Sequence, residues 1–184
     1  QSTGVTDVDN SGDIYAGVSD AGTALGIYAT GADVTVSNTG DIEAQGYSGT
    51  GIEAQSSGDL SVSNDGNIIG GSLSTVYDEY SGNTYVYGSL VGAGINAISN
   101  GEDAAVSVTN SGDISSQGYY GASGISATSS GLGGSASVTN SGTVYASQYS
   151  KYGYGAYGIV VSADGDASID NSGEITVDSA GSAN

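Results

Sequence analysis

The chain contains no histidine, cysteine, phenylalanine, tryptophan, methionine or proline, and its only basic residue is Lys151. Each absence removes a class of function. Without His or Cys there is no imidazole for general acid–base work, no thiol nucleophile, no disulfide framework and no thiolate metal site. Without Arg there is no planar fork for carboxylate or phosphate recognition. One base against twenty acids, a net charge of −19, excludes binding to nucleic acid, whose phosphates are held by Lys and Arg. The same argument excludes anionic membrane surfaces. No stretch approaches the roughly 18 apolar residues of a membrane helix, so no membrane insertion is expected. No basic-then-apolar leader is visible, and a start at Gln1 instead of Met points to a processed chain.

What is present is small, branched and repetitive. Glycine accounts for 33 residues without the every-third period of collagen, and the apolar positions are mostly Ala, Val, Ile and Tyr. That mixture suits narrow β structure better than a bulky globular core. The acids stand singly among alternating apolar residues, which argues against a disordered acidic tract.

The chain is built on one phrase. Asn10, Asn38, Asn64, Asn110, Asn140 and Asn171 each follow a Val or Ile by two positions and precede a Gly by two. Four positions after each stands a β-branched residue: Ile14, Ile42, Ile68, Ile114, Val144 or Ile175. Between anchors recurs a second element, "GIYA" at 26, "GIEA" at 51, "GINA" at 94, "GISA" at 124 and "GIVV" at 158. Both elements have a period of two: Val34, Val36, Ile42 and Ala44 face one way, Thr35, Ser37 and Glu43 the other. This is the pattern of half-buried strands, and no segment carries the 3.6-residue period of a helix.

Anchor spacings of 28, 26, 46, 30 and 31 residues, with several strands per repeat, predict an all-β fold. Its expected form is a single parallel β-solenoid of about six coils spanning residues 1–184. Stacking at roughly 4.8 Å buries the inner face that no repeat can bury alone. The six Asn are expected inside the bend, each bonded to the Asn of the next coil, as in stacked β structures. The Gly two positions on is expected to serve a corner that needs positive φ. The long spacing holds an insertion, "STVYDEYSGNTYVYGS" at 74–89, whose Tyr- and Val-rich arms flank Ser81-Gly82-Asn83 and predict a protruding β-hairpin.

The "VTNSGDI" and "GISA" phrases, from about Val5 to Val177, resemble the passenger regions of bacterial autotransporters and related filamentous adhesins. The resemblance implies a right-handed parallel β-helix outside the cell. The chain lacks that family's C-terminal membrane-barrel pattern and is short, which leaves a fragment or a secreted subunit sharing the repeat.

No pair of acids departs from the repeat to form a distinct catalytic site, so no enzymatic activity is expected. Calcium is the one candidate cofactor. Asp13, Asp41, Asn67, Asp113, Thr143 and Glu174 lie three after the anchors. Asp33, Asp59 and Asp166 lie five before three of them, with Glu102 and Asp103 nearby. These would form columns of oxygen ligands, although no EF-hand or Gly-rich calcium nonapeptide is present, and Asp also favours turns without any metal. Outward positions are too mixed for the flat Thr array of an ice-binding face. Tyrosine is more suggestive: Tyr47, Tyr119, Tyr120, Tyr149, Tyr152, Tyr154 and Tyr157 precede the "GI" strands. Stacking would gather them on one side, with Tyr77, Tyr80, Tyr85 and Tyr87 of the hairpin alongside. Such a face would offer contact area at low entropic cost.

These features predict a structural subunit of an extracellular or cell-surface filament. Its partners would be copies of itself joined head to tail through open solenoid ends. The alternative is a monomeric adhesin or passenger fragment that holds a carbohydrate or host surface through the Tyr face.

Overall fold

The computed structural model describes residues 4–18 and 22–180, which carry nineteen β-strands and no helix. Residues 1–3 and 181–184, at the two ends of the expected domain, lie outside the described residues. The strands wind in order around an axis. Coil one is β1 (Thr6–Asn10), β2 (Ile14–Gly17) and β3 (Thr23–Gly31). Coil two is β4 (Val34–Asn38), β5 (Ile42–Gln45) and β6 (Ser48–Ser56). Coil three begins with β7 (Leu60–Asn64) and β8 (Ile68–Gly70). It then leaves the stack as β9 (Leu73–Asp78) and β10 (Asn83–Gly88), and returns as β11 (Val91–Ser99). Coil four is β12 (Ala105–Asn110), β13 (Ile114–Gly118) and β14 (Gly121–Ser129). Coil five is β15 (Ser135–Asn140), β16 (Val144–Gln148) and β17 (Gly155–Ala163). Coil six contributes β18 (Ala167–Asn171) and β19 (Ile175–Ser179).

Equivalent strands of successive coils pair in parallel and build three sheets, two of six strands and one of five. This is the expected β-solenoid. The register is fixed by the repeat, because a one-residue slip would turn every inward side chain outward. Val36, Val62, Val108 and Val138 lie directly over one another, and Ile42, Ile68, Ile114 and Val144 do the same; all are about 1 % exposed or less. The "GI" isoleucines Ile27, Ile52, Ile95 and Ile125 make a third buried column. Ile169 and Ile175 continue the first two columns in register but are 50 % and 39 % exposed, since no described coil covers them.

The asparagines form the expected ladder. Each side-chain Nδ2 donates to the carbonyl of the Gly two residues on, and all but that of Asn171 donate also to Oδ1 of the Asn in the next coil, at 2.7–2.8 Å between coils. Asn38, Asn64, Asn110 and Asn140 are buried at 1 % exposure or less, so these bonds satisfy amides that water cannot reach.

The corner glycines are needed for a reason other than the expected one. None of Gly12, Gly40, Gly66, Gly112, Gly142 or Gly173 has a positive φ; the described glycines that do are Gly71, Gly82, Gly88, Gly133 and Gly155. A Cβ on Gly66 would instead lie 2.0 Å from the carbonyl oxygen of Gly40, and one on Gly112 2.1 Å from that of Gly66. The corner backbones stack on each other with no room for a methyl group. The "GI" glycines face a similar limit: a Cβ on Gly94 would meet Cγ2 of Ile114 at 2.3 Å.

The insertion is an antiparallel hairpin, with Leu73 opposite Gly88 and Asp78 opposite Asn83. Its turn is Glu79–Gly82, slightly earlier than the Ser81-Gly82-Asn83 expected, because Asp78 organises it. The Asp78 carboxylate accepts the Tyr80 amide at 3.0 Å and the Ser81 hydroxyl at 2.6 Å, and its carbonyl accepts the Gly82 amide. Gly82 supplies the left-handed residue at φ 68°.

Candidate functional site

Three groups of residues could carry function: the corner acids, the tyrosines and the two outer coils. The corner acids form columns, as their spacing implies, and most are occupied in holding the coils together. Oδ1 of Asp13 accepts the backbone N–H of Asp41, Oδ1 of Asp41 that of Asn67, and Oδ1 of Asp113 that of Thr143, at 3.0–3.2 Å. Asp33 and Asp59 repeat the arrangement at another corner, accepting the amides of Asp59 and Ala105. Each acid thus caps a backbone donor of the following coil, which a straight strand would have paired and a bend leaves free. Asp166 and Glu174 lie farther along and offer their backbone carbonyls to Ala136 and Val144. Among the described residues no three carboxylates gather closely enough to hold a metal ion. The candidate calcium ligands therefore run along the axis, one per coil, without converging.

The tyrosines line more than one groove. Tyr119 packs edge-on to Tyr120 with ring centres 4.8 Å apart, and Tyr149 lies 5.8 Å from Tyr119. Together with Tyr47 and, from the hairpin, Tyr85, these rings line a groove of about 510 Å³ between hairpin and solenoid. Tyr154 and Tyr157 line a neighbouring groove of about 320 Å³ beside Val91, Ala93 and Ser123, the Tyr154 amide donating to the Tyr120 carbonyl. There the Tyr157 hydroxyl donates to the Tyr154 carbonyl at 3.2 Å. Tyr152 is 80 % exposed, with the ammonium of Lys151 4.9 Å from its ring centre. Of the hairpin rings, Tyr87 is 6.5 Å from Tyr85, while Tyr80 at the turn is fully exposed.

The sequence reading also missed an inward polar column. Ser56, Ser99 and Ser129 lie four residues after the "GI" isoleucines, stack in register and are buried. Ser56 and Ser99 both donate to the Gly58 carbonyl, at 2.7 and 2.6 Å, and Ser129 to that of Ala104. The signal was present as a recurring Ser at a fixed offset. In a Ser-rich chain it reads as an ordinary loop.

The outer coils are the third candidate. β1, β2 and β3 at one end, and β17, β18 and β19 at the other, each have one edge that no described strand pairs. The Asn ladder runs through to both ends. Among the described residues nothing donates to Oδ1 of Asn10, and Asn171 Nδ2 donates only to Gly173. One end therefore presents an acceptor and the other a donor, in line along one corner. Val8 and Ile14 are partly buried at the first coil, and Ile169, Ile175 and Val177 are partly exposed at the sixth.

Among the described residues no helix is long and apolar enough to cross a membrane. Comparison with protein-family models, with curated proteins and with solved structures finds no match.

Proposed function

We propose that the chain is a structural, non-enzymatic subunit of an extracellular filament, joined to further copies by stacking the sixth coil of one on the first coil of the next. The observation that carries this reading is the complementarity of the two outer coils. A copy placed one coil step beyond β18 and β19 would set its Asn10 Oδ1 against the free donor of Asn171, its Val8 over Ile169 and its Ile14 over Ile175. The Asn ladder and both apolar columns would continue without a break. Unpaired strand edges are templates for such addition, and a head-to-tail contact that does not close gives a fibre. Coil six has no third strand among the described residues, so β17 keeps a free edge. The segment leading into β1 of the next copy, within residues 1–14, would run into that place; its first three residues lie outside the described set. The passenger-like "VTNSGDI" phrase supports placement outside the cell.

Electron microscopy of the purified chain tests the proposal. Six coils at roughly 4.8 Å predict uniform fibres with an axial repeat near 29 Å. Isolated rods at every concentration, pH and salt level would refute it.

The second reading is a monomeric adhesin, favoured by the clustered rings of Tyr47, Tyr85, Tyr119, Tyr120 and Tyr149. Glycan-array binding that falls on Tyr119→Ala and Tyr149→Ala, together with rods in place of fibres, would establish it.

A further inference from the structure

In the first sheet the outward residues obey a rule that changes at the outer coils. Coils two to five present Thr35 and Ser37, Ser61 and Ser63, Ser107 and Thr109, Ser137 and Thr139, in strict register. The same two positions are Asp7 and Asp9 in coil one, and Ser168 and Asp170 in coil six. Uncharged hydroxyls occupy every position that has a neighbour on both sides. Carboxylates appear only where no described strand pairs one side.

Continuing the register by one step, with Asn171 against Asn10, sets Asp170 directly opposite Asp9 and Ser168 opposite Asp7. Like charges opposite each other destabilise a strand pair, and charge on an edge strand is a general means of blocking unwanted pairing. No cation offsets this one. Against Asp9, β4 presents Ser37 and Thr35. Against Asp170, β15 presents Thr139 and Ser137. The flanking corners carry further acids, Asp13 and Asp33 near β1, Asp164, Asp166 and Glu174 near β18, which add to the repulsion. Lys151 sits in the loop between β16 and β17 over Tyr152.

We infer that stacking of copies is gated by the opposed carboxylates Asp9 and Asp170, which hold copies apart while both are ionised and let them join when protons neutralise them. The inference rests on the filament reading and adds its control. The remaining contacts of the junction, the Asn ladder and the two apolar columns, are independent of pH; among the acids at the junction Asp9 and Asp170 are the two set directly opposite each other, and the flanking acids add to their effect.

The test uses the whole chain, followed by light scattering and electron microscopy, with far-ultraviolet circular dichroism to confirm the β fold at each pH. At low salt the unaltered chain needs a much higher concentration to form fibres at pH 7 than at about pH 3, where a free aspartate is largely protonated. At pH 7 in ~1 M salt, where the screening length falls to about 3 Å, fibres form in part. Asp9→Ser with Asp170→Thr, the residues of inner coils, lowers the concentration needed for fibres at pH 7 by about threefold to fivefold. This arm needs no acid, so it stands even where acid unfolds the chain. Glu79→Gln with Glu102→Gln removes the same net charge from the hairpin turn and a corner loop, and leaves that concentration unchanged. Equal effects from the two pairs of substitutions would overturn the gate in favour of net charge. Fibres from the unaltered chain at pH 7 and low salt, as ready as in acid, would overturn the gate while upholding the filament. Fibres from no variant under any condition would overturn the filament reading and the gate with it.

Discussion

Asn64 donates to Oδ1 of Asn110 at 2.8 Å across 46 residues of chain, while Asn38 donates to Asn64 at 2.7 Å across only 26. The ladder is blind to the insertion between its rungs. β11 pairs in parallel with both β6 and β14, Val91 lying between Ser48 and Gly121, as though the hairpin were missing. Coil geometry is thus set by the stacked corners and columns, and the chain between them is free to leave and return.

Removing a rung should therefore cost stability well beyond its own coil. Asn110→Ala leaves one N–H of the Asn64 side-chain amide without its acceptor and the Asn140 side-chain carbonyl without its donor, both buried. The expected loss is about 1–3 kcal/mol in urea unfolding. Asn171→Ala, at the exposed end, should lose much less, and equal losses would show that burial does not set the energy of the ladder.

The stacked corners predict a contrast between two identical substitutions. Gly112→Ala would place a methyl group 2.1 Å from the Gly66 carbonyl oxygen, whereas Gly12→Ala meets nothing within 4 Å. Gly112→Ala should destabilise by about 1–3 kcal/mol as the coils are forced apart. Gly12→Ala should leave the melting temperature nearly unchanged. Were both tolerated alike, close approach would not be what requires glycine there.

Asp78 should titrate below the usual carboxylate range, because the Ser81 hydroxyl, and then the Tyr80 amide, donate to its ionised form. The depressed value means that the turn's stabilisation is fully present above the unfolded-state value of about 3.9 and is lost as pH falls through the lower folded value. Carbon-detected NMR of the carboxyl group reads this directly. Ser81→Ala should move the titration upward, and an unmoved titration would remove the hydroxyl as its main cause.

Deleting residues 1–14 should abolish fibres while coils two to five keep their fold, since the deletion removes β1 and the start of β2 but none of the inner columns. Circular dichroism would report the retained sheets and electron microscopy the missing fibres. Fibres persisting unchanged would place the junction elsewhere.

Much of the solenoid was legible because its physics is one-dimensional. A residue that stacks on its own kind must recur, so Val108, Asn110 and Ile114 announced their columns by returning at fixed offsets. Legibility failed where one residue type serves two physical needs. Glycine meets both a positive φ and a close backbone approach, and only the distance from Gly112 to Gly66 decides between them. It failed again where position depends on chain that leaves the repeat. The hairpin brings Tyr85 into one groove with Tyr47 and Tyr119, while Tyr154 and Tyr157 line a neighbouring one, and no periodicity encodes either path. The last coil was misread because Ile169 and Ile175 obey the repeat perfectly. Burial also requires a following neighbour.

The ladder gives the molecule an electrical direction. In the sheets, successive backbone amides point alternately up and down the stack, so their dipoles largely cancel along the axis. The six asparagine side chains do not alternate: every Nδ2 points toward the later coil and every Oδ1 toward the earlier one. Their amide dipoles add head to tail through the length of the rod. The two ends of the ladder therefore carry partial charges of opposite sign, beside carboxylates that both tips share, and a growing chain of such rods would lengthen at different rates from its two tips.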